Sequence, residues 1–157
     1  VHGTAAGIGL TLAWAADVCV AAEDAKFLPA FLQRAIVPDG AIAWWLPRMI
    51  GVARPRQCLL AGAPMTADRA RDLGLVASTR SAEGLVDAAR EEAQRIATLP
   101  TVTVSLLKQL LAQSFDTDLA TTLFAERAAQ GLSSTTEDAA EGIRAFLEKR
   151  QPDYLGR

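Results

Sequence analysis

From Leu85 to Arg150 the chain reads as four helix-length stretches in succession, and that run confines any sheet to the residues before it. Leu85–Leu99 is amphipathic, with Glu91, Glu92 and Arg95 on a solvated face and Pro100 as its stop. Three more helices are expected near Thr101–Ser114, Asp118–Leu132 and Thr136–Arg150. Strand-like runs occur only earlier: the β-branched run Val18-Cys19-Val20-Ala21-Ala22, a short extended piece at Lys26-Phe27-Leu28, and Leu75-Val76-Ala77. The expected class is α/β, a small mixed portion over residues 1–78 followed by a helical C-terminal region over residues 79–157.

Glycine and proline punctuate the first portion. Gly3, Gly7 and Gly9 precede a helix read over Leu10–Ala16. Pro38-Asp39-Gly40 marks a turn, and the helical pattern of Ala41–Met49 that follows it accommodates Pro47 poorly. Arg54–Ala61 stops at Gly62, while Thr66 caps Ala67–Leu73 and Gly74 ends it. The opening Val1-His2-Gly3 reads as the end of a strand running into a turn, with no initiator Met, so the chain is expected to begin in mid-domain.

Composition excludes several function classes. The 157 residues suit one domain with a sizeable core, and the 16 Lys and Arg nearly balance the 18 Asp and Glu. That balance argues against nucleic acid as the main partner, which usually demands a concentrated basic face. Cys19 and Cys58 sit apart in apolar runs, reading as small core residues, and with a single histidine they make no metal-ligand set. No stretch has the length and apolarity of a membrane span, and no signal peptide is visible, so cytoplasm is the default.

The pattern Gly3-Thr4-Ala5-Ala6-Gly7-Ile8-Gly9 leads from a strand-like residue into a helix whose first amides lack internal partners. Such a turn can be plain close packing, can hold an anion, or can hold a thioester oxygen as it becomes an enolate. The same glycine spacing opens the short-chain dehydrogenases. Those also need a Tyr-x-x-x-Lys pair and a continuing βαβ series, whereas the one tyrosine here is Tyr154 and the late chain is helical.

Taken in order, the blocks of the chain resemble the enoyl-CoA hydratase/isomerase (crotonase) family. Val1 to Ala13 with Ala16-Asp17 is similar to its oxyanion-hole strand, turn and helix. Ala21 to Phe27 resembles its next strand pair. Val37-Pro38-Asp39-Gly40 and Leu46 to Gly51 resemble its active-site turn and following helix, and Leu59 to Gly62, Ala67 to Ala70 and Gly74-Leu75-Val76 fit the next block. Glu137-Asp138, Glu141-Gly142, Ala145 to Arg150 and Gly156-Arg157 resemble the closing helix and end. The resemblance implies the later half of a crotonase-like spiral with a helical C-terminal region.

It also implies a site. Family members bind acyl-CoA thioesters and hold an enolate-like oxygen between two backbone amides, one of which matches Ile8, flanked by Gly7 and Gly9. The other lies upstream of the part that Val1 begins, so half an oxyanion hole is expected here. The two glutamates of hydratases match Thr11 and Phe31, neither of which exchanges protons near neutral pH, so hydration by that route is not expected. Asp39 stands where hydratases usually have glycine. Isomerase-like members place a proton-shuttling aspartate there, and dehalogenase-like members a nucleophile. Phe31, Ile42, Trp44 and Trp45 are candidates for an apolar surround that would favour its neutral form. Pro-Asp-Gly is equally an ordinary turn, and Ala41-Ile42-Ala43 departs from the family's Gly-Gly-Thr/Ser pattern.

Phe146 and Lys149 match a region that approaches coenzyme A in family oligomers, the lysine able to neutralise phosphate. The family forms trimers or pairs of trimers through its C-terminal helices, and the apolar faces at Leu106-Leu107-Leu110-Leu111 and Leu119-Leu123-Phe124 suit such burial. The implied activity is enoyl-CoA isomerisation with Asp39 as base and acid and no cofactor, coenzyme A being part of the substrate. The alternatives are an enoyl-CoA hydratase or other acyl-CoA lyase, and a non-catalytic relative acting only through oligomer contacts.

Overall fold

The computed structural model describes all 157 residues, Val1–Arg157, which divide into two compact units, Val1–Arg90 and Glu91–Arg157. The first opens with β1 (Thr4–Ala6), turns at Gly7 into α1 (Ile8–Ala15), and continues through β2 (Val20–Ala22) and β3 (Lys26–Leu28). A single 3-10 turn at Leu32–Arg34 leads to α2 (Ile42–Ile50) and α3 (Ala53–Ala61). The strands β4 (Met65–Thr66) and β5 (Ser78–Arg80) flank α4 (Ala67–Asp72).

The strands make two small sheets. In one, β1 and β3 run parallel with Ala5 opposite Phe27, and β4 joins β3 antiparallel with Met65 opposite Phe27. In the other, β2 and β5 run parallel with Ala21 opposite Thr79. Parallel neighbours require crossovers, and α1 lies in the one between β1 and β3.

Apolar spacing decides which helix faces are buried. Leu10, Thr11 and Trp14 are buried on α1, and Ile42, Leu46 and Ile50 form an i, i+4, i+8 stripe on α2. Trp14 stacks on Phe27 with ring centres 5.4 Å apart. Phe27, Leu10, Ile42 and Leu46 are closed off from solvent, and burial of a side chain of this size stabilises by about 1.5–3 kcal/mol.

Local signals in the sequence locate several boundaries. Thr66 caps α4 by accepting from the Arg69 amide at 3.2 Å. Gly62 takes the left-handed conformation that ends α3. After α4 the amides of Gly74 and Leu75 reach back to the carbonyls of Arg71 and Ala70 at 2.9 and 2.8 Å, the paired bonds of a Schellman ending. Two expectations shift. The helix α1 starts at Ile8, two residues earlier than read, because the Gly7 carbonyl accepts from both Leu10 and Thr11 and closes a turn around Gly9. Leu75-Val76-Ala77 is not a strand. Leu75 and Val76 are 2% exposed core residues in the connection, and pairing with β2 begins only at Ser78. Pro47 sits inside α2, where it supplies no N–H to the Ala43 carbonyl.

The boundary between the units falls within α5 (Leu85–Ala97). The second unit continues with α6 (Thr101–Gln113), α7 (Leu119–Ser133) and α8 (Glu137–Glu148). Asp118 caps α7 by accepting from the Thr121 amide, and Thr136 caps α8 by accepting from Ala139. The last residues fold back on α8. The buried Asp138 carboxylate accepts from the Leu155 and Gly156 amides at 2.7 and 2.9 Å, and the Asp138 amide donates to the Arg157 carbonyl at 3.0 Å. No helix is long and apolar enough to cross a membrane.

Candidate functional site

Separate stretches of the first unit converge on one cavity of about 300 Å³, lined by Ala6, Gly7 and Ile8, by Ala30, Phe31 and Arg34, and by Ile36 and Asp39. The end of β1 delivers the first three. Gly7 then turns the chain with φ 53° and ψ −123°, a conformation that side chains disfavour, while its amide donates to the Leu28 carbonyl at 3.1 Å. Of the first four amides of α1, those of Leu10 and Thr11 bond to Gly7, and no side chain caps those of Ile8 and Gly9.

The Pro38-Asp39-Gly40 turn is pressed onto that same helix. A Cβ on Gly40 would lie 2.6 Å from Ile8 Cδ1 and 2.8 Å from Thr11 Cγ2, and Gly40 has φ +64°, so both space and backbone require glycine. Thr11, 2% exposed, donates its hydroxyl to the Asp39 carbonyl at 3.4 Å. Ala41 keeps the left-handed backbone at φ 62° and leads into α2. The turn thus retains its handedness although Ala41-Ile42-Ala43 has no glycine.

Electrostatically the cavity is sparse. Asp39 and Arg34 are its charged residues, and they form no ion pair with each other. Arg34 Nη1 donates to the Ala30 carbonyl at 2.8 Å. The Asp39 carboxylate is exposed and makes no hydrogen bond. A carboxylate that no protein donor satisfies is free to exchange a proton with a bound molecule, and a helix N-terminal amide beside it suits an oxygen that gains negative charge. Together they fit proton transfer at a carbon next to a carbonyl.

Among residues named from the sequence, Gly7, Ile8, Phe31 and Asp39 line this cavity. Gly9 lies in the first turn of α1, with nothing within 4 Å of where its Cβ would be. Phe146 and Lys149 belong to the second unit. Phe146 is 82% exposed on α8, and Lys149 ends that helix in a left-handed conformation with φ 56°. Ile42, Trp44 and Trp45 do not line the cavity with Asp39, although the Ile42 amide donates to the Asp39 carbonyl at 3.4 Å. Ile42 is core, and Trp44 lies edge-on to Trp45 at 4.5 Å with the Arg48 guanidinium 3.8 Å above its ring. Sequence reasoning missed Ala30, Arg34 and Ile36, which stand between Phe31 and Asp39 or beside Phe31; nearness in the chain to those two residues was the available signal. No group of three or more His, Cys, Asp or Glu side chains is gathered for a metal ion.

A family model described as enoyl-CoA hydratase/isomerase matches residues 1–157. The chain is 38% identical over 157 residues to the 1,2-epoxyphenylacetyl-CoA isomerase of Escherichia coli K12, covering 100% of this chain and 60% of that protein. It is 35% identical to the 2,3-dehydroadipyl-CoA hydratase of the same strain, covering 100% of this chain and 62% of the relative. The crystal structure of enoyl-CoA hydratase from Mycobacterium tuberculosis H37Rv superposes with a TM-score of 0.93 at 32% identity, over 100% of this chain and 62% of that one. The fold and the matched residues define a crotonase-type protein. The chain belongs to the enoyl-CoA hydratase/isomerase family, and it spans about 60% of the length of the curated relatives it matches.

Proposed function

We propose that the protein containing this chain is an enoyl-CoA isomerase that shifts a double bond through a thioester enolate. The observation that carries the reading is the unpartnered Asp39 carboxylate lining the same apolar-walled cavity as the Gly7–Ile8 turn. Asp39 takes a proton from C2 of a 3-enoyl thioester, and the electron pair moves onto the carbonyl oxygen to give a dienolate. The Ile8 amide donates to that oxygen, as one half of the oxyanion site. The protonated Asp39 then returns its proton at C4 and leaves the 2-enoyl thioester, so no atom is added and no separate cofactor is needed. Phe31 and Ile36 exclude water from the carbanion.

The residues at the hydratase glutamate positions support this reading over water addition. Thr11 is buried and Phe31 is apolar, so neither serves as an acid or base. Lys149 and Phe146, exposed on α8, are proposed contacts for the coenzyme A portion. A second copy of the chain is the proposed partner for the exposed leucines of α6 and α7, such as Leu111 and Leu119, in a trimer or pair of trimers.

The test uses the protein as its gene encodes it, with a 3-enoyl-CoA and a 2-enoyl-CoA supplied separately and products identified by mass. The expected result is a product isomeric with the 3-enoyl substrate and no water added to either. Hydration of the 2-enoyl substrate would make the protein a hydratase and sink the isomerase reading.

A further inference from the structure

We infer that Thr11 is a positioning residue, holding the Asp39 turn in register with the amide of Ile8; this rests on the isomerase reading above. The hydroxyl is buried, and buried polar groups need a partner. A helical threonine has one close at hand, the carbonyl four residues back, here that of Gly7. The Thr11 hydroxyl instead crosses 28 residues of sequence to the Asp39 carbonyl at 3.4 Å, while the Gly7 carbonyl is left to the Leu10 and Thr11 amides. Its methyl group supplies a second constraint, since Thr11 Cγ2 stands 2.8 Å from the position a Gly40 Cβ would take. Hydroxyl and methyl therefore grip two consecutive residues of the turn.

Thr11 stands three residues after Ile8 on α1, and residues so spaced share a helix face. The Ile8 side chain reaches the same place, its Cδ1 2.6 Å from the Gly40 Cβ position. One rigid turn of helix thus carries the oxyanion donor at one end and the anchor for the carboxylate turn at the other. Where a catalytic glutamate would stand in a two-glutamate site, this chain has a side chain that reaches the other element of the site. Thr11 touches neither substrate nor reacting atoms in this scheme; it acts through Asp39.

Two variants of the gene-encoded protein separate the hydroxyl from the methyl. Thr11→Val keeps the shape and removes the donor, whereas Thr11→Ser keeps the donor. The expected result is a kcat lowered about 10–100-fold in Thr11→Val with KM little changed, and recovery to near wild type in Thr11→Ser. With substrate deuterated at C2, the valine variant should also retain less label at C4, because a loosened carboxylate exchanges its proton with water before returning it. Equal kcat and label retention in Thr11→Val, or a serine variant as impaired as the valine one, would overturn the inference. A wild-type protein that isomerises nothing removes the isomerase reading instead. The positioning claim then stands or falls on amide exchange at Ile42, whose N–H donates to the same Asp39 carbonyl at 3.4 Å; exchange is expected to quicken in Thr11→Val, with an unchanged rate counting against the claim.

Discussion

Two aspartates of this chain meet the backbone in opposite ways. Asp138, 3% exposed, gives each carboxylate oxygen to a main-chain amide of the C-terminal tail, and α8 gains a buried anion at its positive end. Asp39 uses only its backbone carbonyl, which accepts from the Thr11 hydroxyl and the Ile42 amide, and leaves its carboxylate without any protein donor. The surroundings repeat the contrast. Around Asp138, Glu141 takes both the Arg150 guanidinium and the Asp153 amide, and Glu137 takes Arg157. Around Asp39, Arg34 turns to the Ala30 carbonyl and the remaining walls are apolar. The carboxylate that holds the tail in place is saturated by the protein, whereas the one proposed to pass protons to a ligand is left unsaturated.

Replacement of Asp39 by Asn should break the contrast on one side only. Loss of a general base costs about 10²–10⁴-fold in rate. With no side-chain bond to lose, stability should stay within about 0.5 kcal/mol of wild type. Steady-state kinetics and urea titration on the same preparation check both halves. A large fall in stability would show that Asp39 is a structural turn residue after all.

The mirror experiment is Asp138→Ala. It removes the charged acceptor of the part-buried Leu155 and Gly156 hydrogen bonds, and stability should fall by about 1–3 kcal/mol. Urea unfolding measures the loss, and Tyr154, whose hydroxyl lies 3.1 Å from the position of a Gly142 Cβ, supplies a local NMR signal for release of the tail. An Asp138→Ala protein as stable as wild type would remove the distinction between the two aspartates.

How far the sequence exposes these two regions depends on the range of the bonds involved. The stops at Gly62 and Gly74 and the cap at Thr66 are legible because each bond spans five residues or fewer. The strand β5 is displaced from the reading because Leu75-Val76 announces burial, whereas pairing with Val20–Ala22 is decided elsewhere in the chain. Glu137-Asp138, Glu141-Gly142 and Gly156-Arg157 are recognisable as a family block, but their reason is not. The Asp138 bonds cross 17 and 18 residues, and Gly142 makes room for a tyrosine that follows it by a whole helix end. At the site, Asp39 and Ile8 are legible through the resemblance, while Arg34 and Ile36 lie in a non-periodic turn that offers no spacing to read.

Acid should loosen the saturated region in a defined window. Glu141 is held down to about 2, first by the Arg150 hydrogen bonds and then by the Asp153 amide. A carboxyl depressed in the folded state contributes stability that is fully present above its unfolded value and is lost as the pH falls through the folded one. The Glu141 contribution is therefore expected to fade from about pH 5 toward pH 2, and Glu141→Gln should abolish that part of the pH dependence. Tyr154 signals followed through an acid titration of both proteins read the effect. Identical acid profiles for the two would mean that the Arg150 bridge is too exposed to matter.

The smallest expected effect returns to the open site. Ala41 holds φ 62°, and a side-chain-bearing residue in the left-handed region is strained where glycine is not. Ala41→Gly relieves that strain but adds freedom to the unfolded chain, two terms of opposite sign. The strain is the larger, so a gain of about 0.5–1 kcal/mol is expected in urea unfolding. Because Gly40 and the Thr11 bond still fix the Asp39 turn, kcat should not change with it. A gain in stability accompanied by a fall in kcat would instead show that the alanine, and not the grip of α1, keeps the carboxylate in place.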